Sequence, residues 1–413
     1  MATNAGKNTP IPLIIGAGGI NPAGRVSGHH AYRRLVIDSL SREKQERTYL
    51  SLAKLMNREK TESINESDRQ YIRNHTLIRK IEAFDTSKVL WQTPLSFLAS
   101  DSEQNEFNLT KKNIPDSLRS RLNIPDSESD VLRVKTQEQI DVLLPEYRES
   151  KVTSAGQLPS GFDPGSLYAS RSHPRALQMT IYAASDAIRS TGFSIDQLRN
   201  MVPPDQIAVY SGSAMGQLDE ESYGGLLQNA LIGKRPSSKH CALGLPEMAG
   251  DFVNAYVLGS VGETAGIIGA CATFLYNVKR GMDDIRTGNK RIVVVGNSEA
   301  PVQPQVIEGY RVMGALADDE SLKTLDNSDV CDNRRACRPF SSNSGFTVAE
   351  ASVWIVLMDD ELALEVGARN LGAVGDVFVN ADGYKKSIPG PGIGNYITMA
   401  NALSTAKAIL GEH

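Results

Sequence analysis

The segment that most constrains the fold of this chain runs from residue 264 to residue 296. Residues 265–269 are apolar and of strand length, and RIVVVG at 291–296 predicts a second buried strand. Between the two runs, apolar side chains recur at helical spacing, at Phe274, Leu275, Val278, Met282 and Ile285. A strand, a tight turn, a helix and another strand therefore follow one another, which is the repeating unit of a layered α/β fold.

A cysteine lies in this predicted strand-to-helix turn. Cys271 falls at the first turn of the helix, among the small residues Gly269, Ala270 and Ala272. Free N–H groups and the positive dipole end of a helix N-terminus stabilise a thiolate, which is the nucleophilic form of cysteine. The residues alone leave two interpretations open, a packed core cysteine and a reactive thiol.

The rest of the chain repeats the alternation of strands and helices. Strands are predicted at 11–16 and 206–210, and helices at 31–40, 46–56, 175–192 and 245–258. This alternation predicts a parallel or mixed sheet with helices on both faces. Residues from about 91 to 168 are rich in Ser, Asp, Asn, Pro and Lys and have no regular apolar period, which indicates a surface insertion. A second α/β unit is predicted to begin near residue 346.

A glycine-rich segment, GAGGINPAG, follows the first predicted strand. Gly16 and Gly18 fit the G-x-G start of a dinucleotide fingerprint, but Asn21 stands where its third glycine belongs. A tight strand-to-helix turn is therefore the favoured interpretation, rather than a nucleotide site.

Composition excludes several functional classes. The net charge is −4, which gives no reason to expect nucleic acid as a partner, because that would require a basic surface; a local basic patch for an acidic protein stays open. Four cysteines (Cys241, Cys271, Cys331 and Cys337) show no disulfide framework and no usual zinc spacing, so we expect reduced thiols, no metal and a cytoplasmic location. Apolar stretches such as residues 353–358 are too short to cross a bilayer, so no membrane association is expected.

Several segments together resemble the β-ketoacyl-acyl-carrier-protein synthases of the thiolase superfamily. They occur in the family's order and are GSAMGQ, GACATFLYN, RIVVVGNSEAP, RPFSSNSGFTVAEASVWIVLMDD and MANAL. The opening PLIIGAGGINPAGRVSGHHAYRRLVIDSL and the long insertion are similar to the large initiating synthases of Gram-negative bacteria. The resemblance implies a thiolase-like layered αβαβα fold, with its first half complete at 11–340 and its second half begun at 341–413.

The same resemblance implies roles for individual residues. Cys271 would be the acylated nucleophile, with its own backbone N–H in the oxyanion hole. Met215 and Tyr310 match residues that line the acyl pocket, with ordinary core packing as an equal alternative for each. Glu350 matches a carboxylate that is mainly structural in the family.

The expected activity is the decarboxylating condensation of an acyl thioester with malonyl-carrier protein. The expected partners are acyl-carrier protein, an acyl-CoA substrate and a second copy of the chain in a homodimer. No bound cofactor is expected, because the phosphopantetheine arm arrives with the substrate. The carrier would dock on the basic pair Arg33 and Arg34 or elsewhere, with a solvated helix face as the alternative for that pair.

The family chemistry also needs two histidines, and none in this sequence falls in a matching motif. The histidines present are His29, His30, His75, His173, His240 and His413. The sequence therefore predicts a fragment whose residues from Phe346 onward pack on further protein. Two alternatives stay open, a non-catalytic synthase-like partner subunit and a thiolase-fold acyltransferase that does not decarboxylate its substrate.

Overall fold

The computed structural model describes residues 9–58, 63–98, 104–114, 116–119, 122, 124, 128–136, 138–383 and 392–411. The chain divides into two compact units. One comprises residues 1–84 and 152–413, and the other comprises residues 85–151.

The bounds of the regular elements follow the chain. The strands are β1 (Pro12–Asn21), β2 (Gly24–Arg25), β3 (Ile78–Lys80), β4 (Val89–Phe97), β5 (Asn105–Thr110), β6 (Val131–Thr136), β7 (Ile140–Arg148), β8 (Ser154–Gly156), β9 (Ile207–Gly212), β10 (Glu263–Ala265), β11 (Ile292–Glu299), β12 (Ala351–Asp359) and β13 (Gly372–Ala373). The α-helices are α1 (His30–Leu35), α2 (Arg42–Leu55), α3 (Glu66–Asn74), α4 (Asp116–Arg119), α5 (Arg175–Ser190), α6 (Ile195–Asn200), α7 (Tyr223–Gln228), α8 (Lys239–Gly244), α9 (Met248–Val253), α10 (Thr273–Arg286), α11 (Pro304–Val312), α12 (Asp319–Asp326), α13 (Asp360–Glu365) and α14 (Gly394–Leu410).

The larger unit is built on one mixed sheet in the order β10-β9-β11-β12-β1-β13, with β2 paired to β1. Strands β10, β9 and β11 are parallel, whereas β12 runs antiparallel to both β11 and β1. The mixed sheet predicted from the alternation of elements is thus confirmed.

Helices cover both faces of this sheet, because successive strand residues point to opposite sides. On one face, Val294 and Trp354 belong to a core cluster with residues of α5 and α9, such as Leu177 and Phe252. On the other face, Val293 and Val295 pack with Val278 and Ile285 of α10. Both apolar layers therefore fix the position of the sheet whose strand β10 leads into the turn that carries Cys271.

Residues 16–21 of the glycine-rich segment belong to strand β1, and the turn is confined to Pro22 and Ala23, which lead into β2 and not into a helix. A bulge between Ile14 and Gly16 adjusts the register of β1 against β12. A side chain at Gly18 would place its Cβ 2.2 Å from the backbone nitrogen of Ala187 on α5. The glycines let α5 lie directly on the strand, which is a packing requirement and not a phosphate-binding one.

The structure differs from the expected boundary at residue 341. Strand β12 lies inside the first sheet, between β11 and β1, so it completes this layer and does not open a separate unit. The expectation that all residues after Phe346 pack on further protein therefore does not hold for β12. By contrast, α14 buries only Gly394 among the described residues and leaves side chains such as Tyr396 exposed.

The smaller unit is the core of the predicted insertion. It contains two antiparallel hairpins, β4 with β7 and β5 with β6. Leu132 and Val134 of β6 form its own small core with Ile114 and Leu122. Residues 152–168 belong instead to the larger unit, where β8 pairs with β3.

Within the described ranges, every helix is too short or too polar to cross a lipid bilayer.

Candidate active site

Cys271 lies on a one-turn 3-10 helix, Ala270–Ala272, that leads directly into α10. The preceding strand β10 ends at Ala265, earlier than the predicted strand, because residues 266–269 leave the sheet. Ala270 has a φ of 49°, a left-handed conformation that non-glycine residues rarely adopt. This bend presents the Cys271 side chain to solvent, so the core-cysteine interpretation does not hold.

Two fully buried polar side chains of α10 hold the turn in place. The Asn277 amide accepts a hydrogen bond from the Ile267 N–H and donates to the Ile267 carbonyl, both at 3.0 Å. Thr273 Oγ1 accepts from the Gly269 N–H at 3.1 Å and donates to the Ala270 carbonyl at 2.6 Å. The sequence analysis identified neither side chain. The available signal was two polar residues four apart at the start of the predicted helix.

The position of Cys271 suits a nucleophile. Its thiol lies at the N-terminal end of the 14-residue helix α10, where the helix dipole favours negative charge. No described group accepts a hydrogen bond from the Cys271 backbone N–H. That donor is therefore free to bind an oxygen that gains charge beside the sulfur.

Cys271 opens into a cavity of about 410 Å³. The lining residues are Ala214, Met215, Leu218, Tyr223, Gly224, Leu227, Gln228, Ala270, Cys271, Gln303, Gln305, Val306, Gly309, Tyr310 and Met313. The three site residues taken from the family resemblance, Cys271, Met215 and Tyr310, thus lie around one cavity. Its lining is mostly apolar, as expected for a site that holds a hydrocarbon chain.

Tyr310 and Met215 contact each other across this cavity. The Tyr310 hydroxyl donates to Met215 Sδ at 3.2 Å, and its ring meets Phe346 edge-on with centroids 5.4 Å apart. Burial raises the pKa of Tyr310, and the nearby Cys271 and Glu299 raise it further. The hydroxyl therefore stays protonated at neutral pH and remains a donor.

Glu299, at the end of β11, anchors the loop that carries Met215. Its carboxylate accepts hydrogen bonds from the Ala214 N–H at 2.5 Å, Ser213 Oγ at 3.0 Å and Asn297 Nδ2 at 3.1 Å. Burial raises the pKa of Glu299, and the three hydrogen bonds act in the opposite direction. Sequence reasoning missed this residue, although its segment carried part of the family resemblance.

Other residues singled out in the sequence lie away from the cavity. Glu350 is 2% exposed and forms an ion pair with Arg175 at 2.8 Å, which is a structural role. Arg34 is 6% exposed, and its Nε donates to Thr76 at 2.9 Å. Arg34 therefore offers no docking surface, and its neighbour Arg33 is half-buried.

Histidines and metal ligands are not found at this site in the described part of the chain. None of the cavity's lining residues is a histidine. Nor do the described ranges contain a group of three or more His, Cys, Asp or Glu side chains suited to a metal ion. His413 lies outside the described residues.

Comparison with known proteins places these features in a family. The profile of the β-ketoacyl synthase N-terminal domain matches residues 122–363. The chain is 47% identical to the β-ketoacyl-[acyl-carrier-protein] synthase FabY of Pseudomonas aeruginosa, over 97% of this chain and 66% of FabY. It is 27% identical to nodulation protein E of Rhizobium leguminosarum bv. trifolii, over 52% of this chain and 49% of that protein.

Solved structures agree with this placement. The crystal structure of the noncanonical ketosynthase FabY from P. aeruginosa superposes with a TM-score of 0.94, covering 99% of this chain and 67% of that one. A β-ketoacyl synthase from Burkholderia phymatum gives a TM-score of 0.58 at 15% identity over 97% of this chain and 70% of that one, which shows the fold alone. The chain thus spans about two thirds of the FabY sequence and about half of nodulation protein E.

Proposed function

The chain belongs to the β-ketoacyl synthase family, with its thiolase-like fold, and on that premise we propose that it carries the acyl-accepting site of a β-ketoacyl-acyl-carrier-protein synthase in fatty-acid biosynthesis. The observation that carries the proposal is the exposed Cys271 thiol at a helix start, opening into an apolar cavity. The relative FabY, a β-ketoacyl-[acyl-carrier-protein] synthase, supports the same substrate class.

The first step would be transfer of an acyl group to Cys271. The sulfur attacks the carbonyl carbon of an acyl thioester, the bond to the donor sulfur breaks, and the donor thiol leaves with the proton. The free Cys271 N–H would donate to the carbonyl oxygen as it gains negative charge. The phosphopantetheine arm comes with the substrate, so the step uses no resident cofactor.

The acyl chain would then lie between Met215 and Tyr310. Their contact at 3.2 Å closes one side of the cavity, so chain length depends on how far these side chains separate.

The second step would join the acyl group to malonyl-carrier protein with loss of carbon dioxide. Carbon dioxide leaves the malonyl group, and the resulting carbanion attacks the acyl carbonyl and displaces the Cys271 sulfur. The family uses two histidines in this step. None of the histidines in the described ranges lines the cavity, so we assign only the acylation step to these residues.

Carrier protein would dock beside α7, one wall of the cavity. Arg235 and Lys239 are exposed just beyond this helix and form no ion pair with described residues. Lys234 beside them pairs with Glu220 at 2.6 Å. An acidic carrier would find here the positive surface that Arg34 does not provide.

A second copy of the chain would pair along β10. This strand ends the sheet, and its outer edge has no strand partner in the described part of the chain. Val261, Ile267 and Ile268 expose apolar side chains beside that edge. Unpaired edges of this kind add a strand from another chain, so we propose a homodimer.

Acylation tests the proposal. The protein would be incubated with an acyl-CoA carrying an isotope label in its short acyl group, and the label retained on the denatured protein would be measured. Cys271→Ala should abolish this labelling, whereas Cys241→Ala, which removes an exposed thiol outside the cavity, should retain it in full.

Other outcomes favour the alternatives. Absence of Cys271-dependent acylation would favour a non-catalytic partner subunit. Normal acylation without condensation, in a protein that also carries the family's two histidines and is supplied with malonyl-carrier protein, would favour an acyltransferase that does not decarboxylate.

A further inference from the structure

A second cavity lies between the turn after β1, helix α2 and residues 162–167. Its volume is about 350 Å³, and it shares no lining residue with the cavity of Cys271. The proposed function gives it no role. Its chemistry can therefore be considered independently of the condensing site.

Two cationic side chains line this second cavity. Arg25 uses its Nε to hold Asp186 at 2.6 Å and Ser27 at 2.7 Å, and its two terminal nitrogens make no hydrogen bond to described residues. Lys54 is exposed and forms no ion pair in the described ranges. The terminal nitrogens and the Lys54 ammonium can therefore bind an anion together.

Unused hydrogen-bond donors, and not the net charge, favour an anionic ligand. Asp186 pairs with Arg25, and Asp163 is the one acidic side chain in the described lining, so two carboxylates balance the two cations. The Asp163 carboxylate already accepts from the Gly165 backbone N–H at 3.0 Å. The terminal nitrogens of Arg25 and the Lys54 ammonium have no such partner among the described residues, so the donors left for a ligand suit a single carboxylate.

Two further polar atoms at this cavity, the Tyr182 hydroxyl oxygen and His30 Nε2, have no hydrogen-bond partner among the described residues. Tyr182 lines the cavity, and its hydroxyl makes no hydrogen bond to any described residue. Burial raises the pKa of Tyr182 to about 12, so the hydroxyl is a donor at neutral pH. His30 uses Nδ1 on Ser51 at 3.2 Å, which leaves Nε2 available.

Part of the remaining wall is apolar, beside the polar residues Thr48, Ser51, Asn57 and Ser166. Leu52 and Phe162 are buried, and the Phe162 ring meets Tyr182 edge-on with centroids 5.0 Å apart. Leu55 and Leu167 extend the same wall. A ligand for this site therefore needs a hydrocarbon part beside its charged group.

We propose that this cavity binds a small aliphatic monocarboxylate. Arg25 and Lys54 hold its carboxylate, Tyr182 donates a further hydrogen bond, and its chain packs on Leu52 and Phe162. A volume of about 350 Å³ corresponds to roughly twelve water volumes of about 30 Å³, which accommodates the ten heavy atoms of octanoate.

Isothermal titration of the protein with sodium octanoate tests this proposal. Lys54→Ala should weaken binding about tenfold, because it removes a charge-assisted hydrogen bond. Tyr182→Phe should weaken it by about fivefold, since it removes one neutral donor. Lys44→Ala is the matched control, because it removes the same charge from the same helix outside the cavity and should leave affinity unchanged.

Three results would overturn the proposal. One is an octanoate affinity that survives Lys54→Ala and Tyr182→Phe, which would place the ligand elsewhere, including the Cys271 cavity. Another is an equal loss with Lys44→Ala, which would indicate a general charge effect. The third is binding of inorganic phosphate or octylamine in place of octanoate. Circular dichroism spectra of the variants would establish that each one folds.

Discussion

Removing the Glu299 carboxylate should loosen the loop that carries Met215. In Glu299→Ala, three donors lose their acceptor, namely the Ala214 N–H, the Ser213 hydroxyl and the Asn297 amide. A buried donor left unpaired costs about 1–3 kcal/mol, and water in the neighbouring cavity can replace part of the loss. We therefore expect the free energy of unfolding to fall by about 2–3 kcal/mol, and by about 1 kcal/mol in Glu299→Gln, which keeps one acceptor oxygen.

The protonation of Glu299 adds a pH dependence with a defined sign. Burial raises the pKa of this carboxyl in the folded protein above its ordinary value of 4.5. The folded state therefore binds the proton more tightly than the unfolded chain, and stability falls as pH rises from about 4.5 through the folded pKa. Glu299→Gln cannot titrate, so the difference in stability between wild type and this variant should change with pH across that window.

Urea unfolding at a series of pH values, followed by tryptophan fluorescence, measures both effects. A Glu299→Ala variant as stable as wild type would refute the anchoring role. An equal pH slope in wild type and Glu299→Gln would refute the assignment of that slope to this carboxyl.

Three further predictions concern packing, a buried ion pair and the acyl pocket. Gly296→Ala should lower the free energy of unfolding by about 3 kcal/mol or more, because its Cβ would lie 1.9 Å from the fully buried Trp354 ring; urea unfolding measures this. Arg175→Met should cost about 3 kcal/mol by the same assay, since it leaves the buried Glu350 carboxylate without its cation, and adding Glu350→Gln should recover most of the loss. Tyr310→Phe should change stability by less than about 1 kcal/mol but alter the preferred acyl length in competition assays, because it removes the hydrogen bond to Met215.

Each of these has a contradicting outcome. A Gly296→Ala variant of wild-type stability would mean that Trp354 moves aside at little cost. Failure of Glu350→Gln to rescue Arg175→Met would show that lost packing, and not an unpaired charge, causes the destabilisation. Unchanged chain-length preference in Tyr310→Phe would remove that hydroxyl from the acyl pocket.

Local pattern was enough to predict the alternating elements, because apolar periodicity reflects which face of each element is buried. Local pattern did not predict the role of the glycines in β1. They are needed because α5 packs closely against this strand, and that contact joins residues far apart in the chain. The local pattern also failed at residue 341. The sequence pattern of β12 predicts the start of a new unit, but the strand lies between β11 and β1. Local pattern does not indicate the order of strands in a sheet.

At the candidate site, too, local features were predictable from the sequence and contacts between distant residues were not. The small neighbours of Cys271 and the helix after it are local features that placed it on a turn, but they left a packed core cysteine open, and the family segments were needed to favour the nucleophile. The family segments added Met215 and Tyr310. Glu299 and Asn277 were missed because each acts by hydrogen bonds to backbone that only the folded chain brings within reach. Arg34 was placed on a surface because a charged residue is usually exposed, whereas here Thr76 provides it with a buried partner.

The most direct test of the account is the mass of the intact protein after brief incubation with a short acyl-CoA. We predict a gain of one acyl group in the wild type and in Cys241→Ala, and no gain in Cys271→Ala. Equal labelling of Cys271→Ala and wild type, or no labelling of either, would contradict the assignment of Cys271 as the acyl-accepting nucleophile.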